Sequence, residues 1–151
     1  MKHPRNTSDT IVEELTINGP AERVFEALVN PEQRLQWWGG QGRFRATSME
    51  SDLCPGGKWL MRFEMGGKSS SVGGEYRTIE RPCMLVFTWL PDWYENATET
   101  VVRFDLAEHD GVTPVRTTHF GLTSEGDRAN HRGWSDILAW LQAYVEQNIG
   151  G

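Results

Sequence analysis

The chain has 151 residues, a length that fits one domain able to bury a sizeable core without disulfide or metal staples. Its 15 Lys and Arg against 21 Asp and Glu leave a net charge of −6, which argues against a nucleic acid partner, because phosphate backbones select a basic footprint. Hydrophobic content of 38% with 24% charged residues is globular rather than disordered, and seven Trp with six Phe point to an aromatic-lined interior. The longest apolar run, Met84 to Leu90, is far too short to cross a bilayer, and the first ten residues contain no apolar signal core. A cytoplasmic protein without membrane insertion is therefore expected. Cys54 and Cys83 form no CxxC pair and no metal-ligand set, so two free thiols, no metal and no cofactor are expected.

Residues 1–9 are polar and carry Pro4, which predicts a disordered tail before a single domain over 10–149. Thr10 to Ile17 alternates as a first strand with Ile11, Leu15 and Ile17 on one face, and stops at Asn18-Gly19-Pro20. Pro20 suits a first helical position with Glu22 in the first turn, and Val24, Phe25 and Leu28 form the buried stripe of a short helix. Asn30 then caps a second short helix opened by Pro31 and running to about Gln36.

From there to about residue 122 the period is that of strands. Phe44 to Asp52 is followed by Lys58 to Met65, with Trp59, Met61 and Phe63 on one face. Gly66-Gly67-Lys68-Ser69 turns into Val72 to Ile79, and Arg81-Pro82 into Cys83 to Trp89, with Leu85, Phe87 and Trp89 on one side. Thr98 to Glu108 turns Val102, Phe104 and Leu106 inward, and Thr113 to Leu122 is the last strand. The short connections imply an antiparallel meander, and Pro114 predicts an edge or a bulge. The period then becomes helical, with Trp134, Leu138, Leu141 and Val145 on one face and Ile137 and Tyr144 on its flanks, in a helix of roughly 20 residues ending at Gly150-Gly151.

The motifs narrow this order. Pro20-Ala21-Glu22-Arg23-Val24-Phe25-Glu26-Ala27-Leu28, then Pro31-Glu32 and Trp37-Trp38-Gly39, resemble the START-like (Bet v 1-like, SRPBCC) superfamily. Within it they resemble the family named for the C-terminal domain of the activator of Hsp90 ATPase. Further matches follow in order: Asp52 with Gly56-Gly57, Gly74-Glu75-Tyr76, Arg81-Pro82 before Leu85-Val86-Phe87-Thr88-Trp89, His119 with Gly121-Leu122, and His131, Gly133, Trp134, Leu138 and Leu141. Together they cover residues 10 to 146, with two departures from the family pattern, Pro114 and Thr117, the latter making the inner surface near His119 more polar. The resemblance implies an α+β helix-grip fold: a seven-stranded antiparallel curved sheet around a long C-terminal helix, with two short helices between strands 1 and 2. It also implies a cavity between sheet and helix.

That cavity would be lined by Trp59, Met61, Phe63, Leu85, Phe87, Trp89, Val102 and Phe104 from the sheet, with His119, and by His131, Trp134 and Leu138 from the helix. Each of these also suits plain core packing, and the two histidines suit hydrogen bonding at the sheet–helix seam as well as ligand contact. No nucleophile–base pair, phosphate loop or metal spacing stands out: Ser69-Ser70-Ser71 has no GxSxG elbow, and Gly39-Gly40-Gln41-Gly42 opens no helix. The loop holding Asp92, Trp93 and Glu95 reads as solvated, though placed to cover a cavity mouth, with Trp93 exposed. Non-catalytic binding of a small apolar or aromatic ligand is the first functional expectation. An Hsp90 co-chaperone-like domain that interacts with a chaperone or other protein is the second, set back because no separate N-terminal domain is expected, and a cyclase or hydrolase acting on a hydrophobic substrate is the third.

Overall fold

The computed structural model describes residues 9–39 and 44–147. The predicted tail, apart from Asp9, and the predicted helix end at Gly150-Gly151 lie outside the described residues. The element order is β1 (Thr10–Ile17), α1 (Ala21–Val29), α2 (Pro31–Trp37), β2 (Phe44–Ser51), β3 (Lys58–Met65), β4 (Lys68–Glu80), β5 (Met84–Pro91), β6 (Thr100–Leu106), β7 (Thr113–Phe120), α3 (Glu125–Ala129) and α4 (Trp134–Gln147). The seven strands form one antiparallel sheet in the order β1-β7-β6-β5-β4-β3-β2. Strands β2 to β7 make the expected meander, while β1 joins its far edge beside β7, so that α1 and α2 carry the chain across from one edge to the other.

Local sequence explains most of these elements. Asn30 caps α2 by accepting from the Gln33 backbone N–H at 3.1 Å, and Pro31 takes the position where its missing N–H costs nothing. Gly66 and Gly67 both have positive φ (59° and 82°), the geometry of a two-residue hairpin turn. Lys68 and Ser69 are therefore not in the turn but in β4, which is longer than the sequence suggested. Bulges between Ala46 and Ser48 and between Tyr76 and Thr78 break strict alternation, so that both Ala46 and Met49 face the core.

The glycine-bearing motifs acquire physical reasons. A Cβ on Gly74 would lie 2.0 Å from the Thr88 carbonyl oxygen, and one on Gly57 would lie 2.0 Å from that of Asp52, so only glycine lets these backbones approach. Arg81 reaches back from the β4–β5 turn to Glu22 and Glu26 of α1 (Nε to Glu22 2.6 Å, Nη2 to Glu26 2.6 Å), with its guanidinium 5.1 Å from the Phe25 ring centre.

Strand β7 lies between β1 and β6, and Pro114 at its start sits beyond the last β6–β7 pair, Leu106↔Val115, so that this end is open on the β6 side, as expected, and no ladder donor is needed. Two expectations are corrected. The C-terminal helix is not continuous from about residue 130. Ser124 caps the separate helix α3 by accepting from the Asp127 N–H (2.9 Å), and Asn130–Gly133 breaks the chain before α4. Trp93 is half-buried rather than exposed, because its ring packs on Phe63, Trp89 and His131.

The core fills the inner face of the sheet and the apolar faces of α1, α2 and α4, and α4 packs on β1, α1 and α2. Cys54 and Cys83 are both free and exposed. Thr117, the departure noted above, is 1% exposed and its hydroxyl has no hydrogen-bond partner among the described residues. A buried hydroxyl left unpaired is a net cost, and valine has nearly the same shape. Thr117→Val is expected to raise the unfolding free energy by about 1 kcal/mol in urea denaturation.

Candidate functional site

The centre of the molecule is a chain of side-chain hydrogen bonds joining β5, β6, β7 and the α3–α4 break. The Trp89 indole N–H donates to His131 Nε2 at 2.9 Å, and the Trp134 indole N–H donates to His119 Nδ1 at 3.0 Å. An indole can only donate, so each of those ring nitrogens must be an unprotonated acceptor. The remaining nitrogens then donate: His131 Nδ1–H to the Asp127 carbonyl (2.7 Å) and His119 Nε2–H to Thr100 Oγ1 (2.7 Å), which in turn donates to the Trp89 carbonyl (3.2 Å). Both imidazoles are held neutral, in opposite tautomers, with their ring centres 4.7 Å apart. All four rings are buried, His119 completely.

One side of this cluster faces a cavity of about 350 Å³ between the end of the sheet, the β5–β6 loop, the α3–α4 break and the first turns of α4. Five of the seven tryptophans line it: Trp38, Trp89, Trp93, Trp134 and Trp140. Their rings are mutually tilted, Trp38 and Trp89 by 43°, Trp38 and Trp140 by 67°, and Trp89 and Trp93 by 82°, so they bound the space from different directions. Phe63, Val72, Met65 and Ile137 complete the apolar wall, and Ser70, Asn130, Arg132 and Asp136 supply the polar groups.

Of the residues nominated from sequence, Phe63, Trp89, His131 and Trp134 line this cavity. Trp59, Met61, Leu85, Phe87, Val102, Phe104, His119 and Leu138 are buried in the core behind it, 0–4% exposed. Trp38, in extended conformation just after α2, and Ile137 and Trp140, beside the main stripe of α4, are wall residues outside that set. On α4, Ile137 and Trp140 form a second apolar row beside Leu138 and Leu141, and that doubled face was the available signal.

Two charged groups brace the walls from behind. Arg34 is 4% exposed, and no Asp or Glu of the described residues pairs with it. It donates through Nε (3.1 Å) and Nη2 (2.8 Å) to the Leu28 carbonyl and lies 5.1 Å from the Trp38 ring centre and 5.7 Å from that of Trp37. Burial pushes its pKa down to about 10, which leaves it charged at neutral pH. The indole faces thus stand in for a counter-ion. Asp127 is 1% exposed. Burial acts to raise its pKa, but hydrogen bonds from Tyr94, Ser124 and Thr98 prevail and keep the carboxyl below its usual range. Its carboxylate accepts from the Tyr94 hydroxyl at 2.6 Å and the Thr98 hydroxyl at 3.3 Å.

Chemically, this arrangement offers aromatic surface and little else inside. Neither imidazole has a ring nitrogen free towards the cavity, and no cluster of three metal-ligating side chains occurs among the described residues.

The histidines make stability depend on pH in a definite direction. Burial, reinforced by the neighbouring His131, pushes His119 down to about 3, and burial also lowers His131. The unfolded chain therefore takes up protons near pH 6.5 that the folded chain refuses. Stability is fully present above that pH and falls as the pH drops towards the folded value. Urea melts are expected to show His119 alone costing about 2–3 kcal/mol between pH 7 and pH 4.5. Unchanged stability over that interval would mean that the imidazoles are charged in the folded protein.

Comparison with known proteins places the chain. The family described as Activator of Hsp90 ATPase homolog 1-like protein matches residues 18–146. No curated protein matches the sequence. Among solved structures, a protein from Chromobacterium violaceum superposes with a TM-score of 0.81 at 23% identity, covering 93% of this chain and 99% of that one. An AHSA1-like protein from Aeromonas hydrophila gives 0.77 at 24% identity, covering 91% and 92%. DynU16, a protein in the dynemicin biosynthetic locus, gives 0.72 at 19% identity, covering 93% of this chain and 48% of its own. At these identities the superpositions establish the fold alone, and no helix of the described residues is long and apolar enough to cross a membrane. With most of its length matched, the chain belongs to the Activator of Hsp90 ATPase homolog 1-like family.

Proposed function

We propose that this protein binds a small apolar or aromatic molecule in the tryptophan-walled cavity, holding it without chemical change. The observation that carries this reading is the cavity of about 350 Å³ bounded by five indoles, within the usual size range and apolar make-up of small-molecule sites. The hydrogen-bonding atoms of the deep wall are already spent: the N–H groups of Trp89 and Trp134 go to histidines, and both nitrogens of His131 are engaged. A ligand group set against these three rings meets no free donor or acceptor on them, which suits an apolar group, and a polar substituent finds Ser70, Asn130, Arg132 or Asp136 among the other lining residues. A neighbouring fold, DynU16, belongs to a biosynthetic locus, which agrees with a role in handling small organic molecules.

A ligand burying about 200 Å² of apolar surface gains about 5 kcal/mol before association costs, and micromolar affinity, which needs about 8 kcal/mol, is therefore a ceiling for an unoptimised ligand. The test is a fluorescence titration with the neutral probe N-phenyl-1-naphthylamine, read by probe emission and by tryptophan quenching. Ile137→Trp places a bulky ring in the cavity from a half-buried wall position and is expected to weaken binding at least about tenfold while the folded state persists. Equal affinity in the two proteins would place the probe elsewhere and remove this reading.

A further inference from the structure

We infer that the segment between β5 and β6, residues 92–99, is a strap that closes the mouth of the cavity, with Trp93 as its inner face and the hydrogen bonds from Tyr94 and Thr98 to Asp127 as its fastening. The inference rests on the ligand-binding reading and names how the same site opens.

The wall residues differ in what holds them. Phe63, Val72 and Trp89 belong to strands paired on both sides, and Trp134 and Trp140 belong to α4. Moving any of these breaks a ladder or unwinds a helix. Trp93 lies on the β5–β6 connection, facing the α3–α4 break, and side chains tie that connection down.

At the first end, the Asp92 carboxylate accepts from the Ser71 N–H (2.8 Å) and hydroxyl (3.0 Å), while the Asp92 N–H donates to the Ser71 carbonyl (3.0 Å). This end continues the β4–β5 ladder, whose outermost pair is Val72↔Pro91, the far end leads into the β5–β6 ladder at Trp89↔Thr100, and the two act as hinges. Between them the strap meets α3 through the hydroxyls of Tyr94 (2.6 Å) and Thr98 (3.3 Å), both on the Asp127 carboxylate. Between those two hydroxyls Asn96 adopts φ 64°, a left-handed turn that asparagine tolerates. Releasing the strap therefore breaks two side-chain hydrogen bonds, lifts the Trp93 indole from Phe63, His131 and Trp89, whose ring centres lie 5.5, 6.0 and 6.4 Å from its own, and lifts the Tyr94 ring from His131 (6.0 Å). The rest of the wall stays in place, because His131 is fixed by the Asp127 backbone carbonyl rather than by its carboxylate.

Removing the fastening should speed entry and exit together and leave the closed complex unchanged. Stopped-flow mixing with N-phenyl-1-naphthylamine compares the full-length protein with Tyr94→Phe, which deletes only the hydroxyl, and with Thr98→Ala. For Tyr94→Phe, association and dissociation rate constants are expected to rise together by about tenfold, in keeping with loss of a charge-assisted hydrogen bond, with the dissociation constant within about threefold of the unmodified protein's. Thr98→Ala should do the same to a smaller extent. Without ligand, amide hydrogen exchange at 93–99 should quicken in Tyr94→Phe while α4 is unaffected. Rates and exchange indifferent to both substitutions, in a protein that still binds the probe, would overturn the strap alone. A rise confined to dissociation would also overturn it, making Tyr94 a binding contact instead. An unmodified protein that binds no probe would remove the ligand-binding reading and the strap with it.

Discussion

The structure depends on two hydrogen bonds of one kind, an indole N–H given to an unprotonated imidazole nitrogen. Trp89 gives one to His131 and Trp134 gives the other to His119. Each bond forces its histidine to be neutral and fixes which nitrogen keeps the proton, and that proton then needs its own acceptor, supplied by the Asp127 carbonyl and by Thr100. The elements so joined are the middle of the sheet and the break that turns the chain into α4. Loss of either bond would leave a buried donor and a buried acceptor unpaired at once, which is why the cluster holds its geometry.

This cluster decides what the cavity is. Because the polar atoms of Trp89, Trp134 and His131 are used internally, their rings present hydrocarbon surface to the space beside them. The charges near that space are kept behind the walls. Arg34 supports Trp38 through its ring face, and Asp127 holds α3 to the β5–β6 connection through hydroxyls. Both are costly groups to bury, and each is satisfied by neutral partners, so neither adds a carboxylate–guanidinium pair to the interior.

Most of the fold was legible in the sequence. Alternation in Lys58–Met65, Met84–Pro91 and Thr100–Leu106 marked the core face correctly, and Asn30 with Pro31 marked the start of α2, whereas Pro20 stands just before α1 as an uncapped N-cap rather than in its first turn. The α3–α4 break was not legible, because Trp134, Leu138, Leu141 and Val145 keep a helical period that says nothing of where the helix begins. Ser124 as a cap was the one local sign. Strict alternation also failed at the bulges in β2 and β4, which a period-2 template passes over.

The site was half legible for a different reason. Inward-facing aromatics were identifiable strand by strand, but whether one fills the core or borders a cavity depends on how far apart sheet and helix stand at that level. Trp59 and Phe87 meet edge to face at 5.3 Å and fill their level, whereas Trp89 and Trp140 stand at the open one. Pairing of His119 with Trp134 depends on the β6–β7 register, Val102↔His119, together with the placing of α4, and no local pattern encodes that. The buried Arg34 gave no signal at all, since an arginine on a short amphipathic helix ordinarily faces water.

The most direct test of this account is nitrogen-15 NMR of the histidine side chains, which distinguishes a protonated ring nitrogen from a bare one. The account predicts two neutral imidazoles in opposite fixed tautomers, His131 with its proton on Nδ1 and His119 with its proton on Nε2, from pH 8 down to pH 6.5, where a free imidazole is half protonated. Rapid tautomer exchange, or a charged ring at either position within that range, would contradict it.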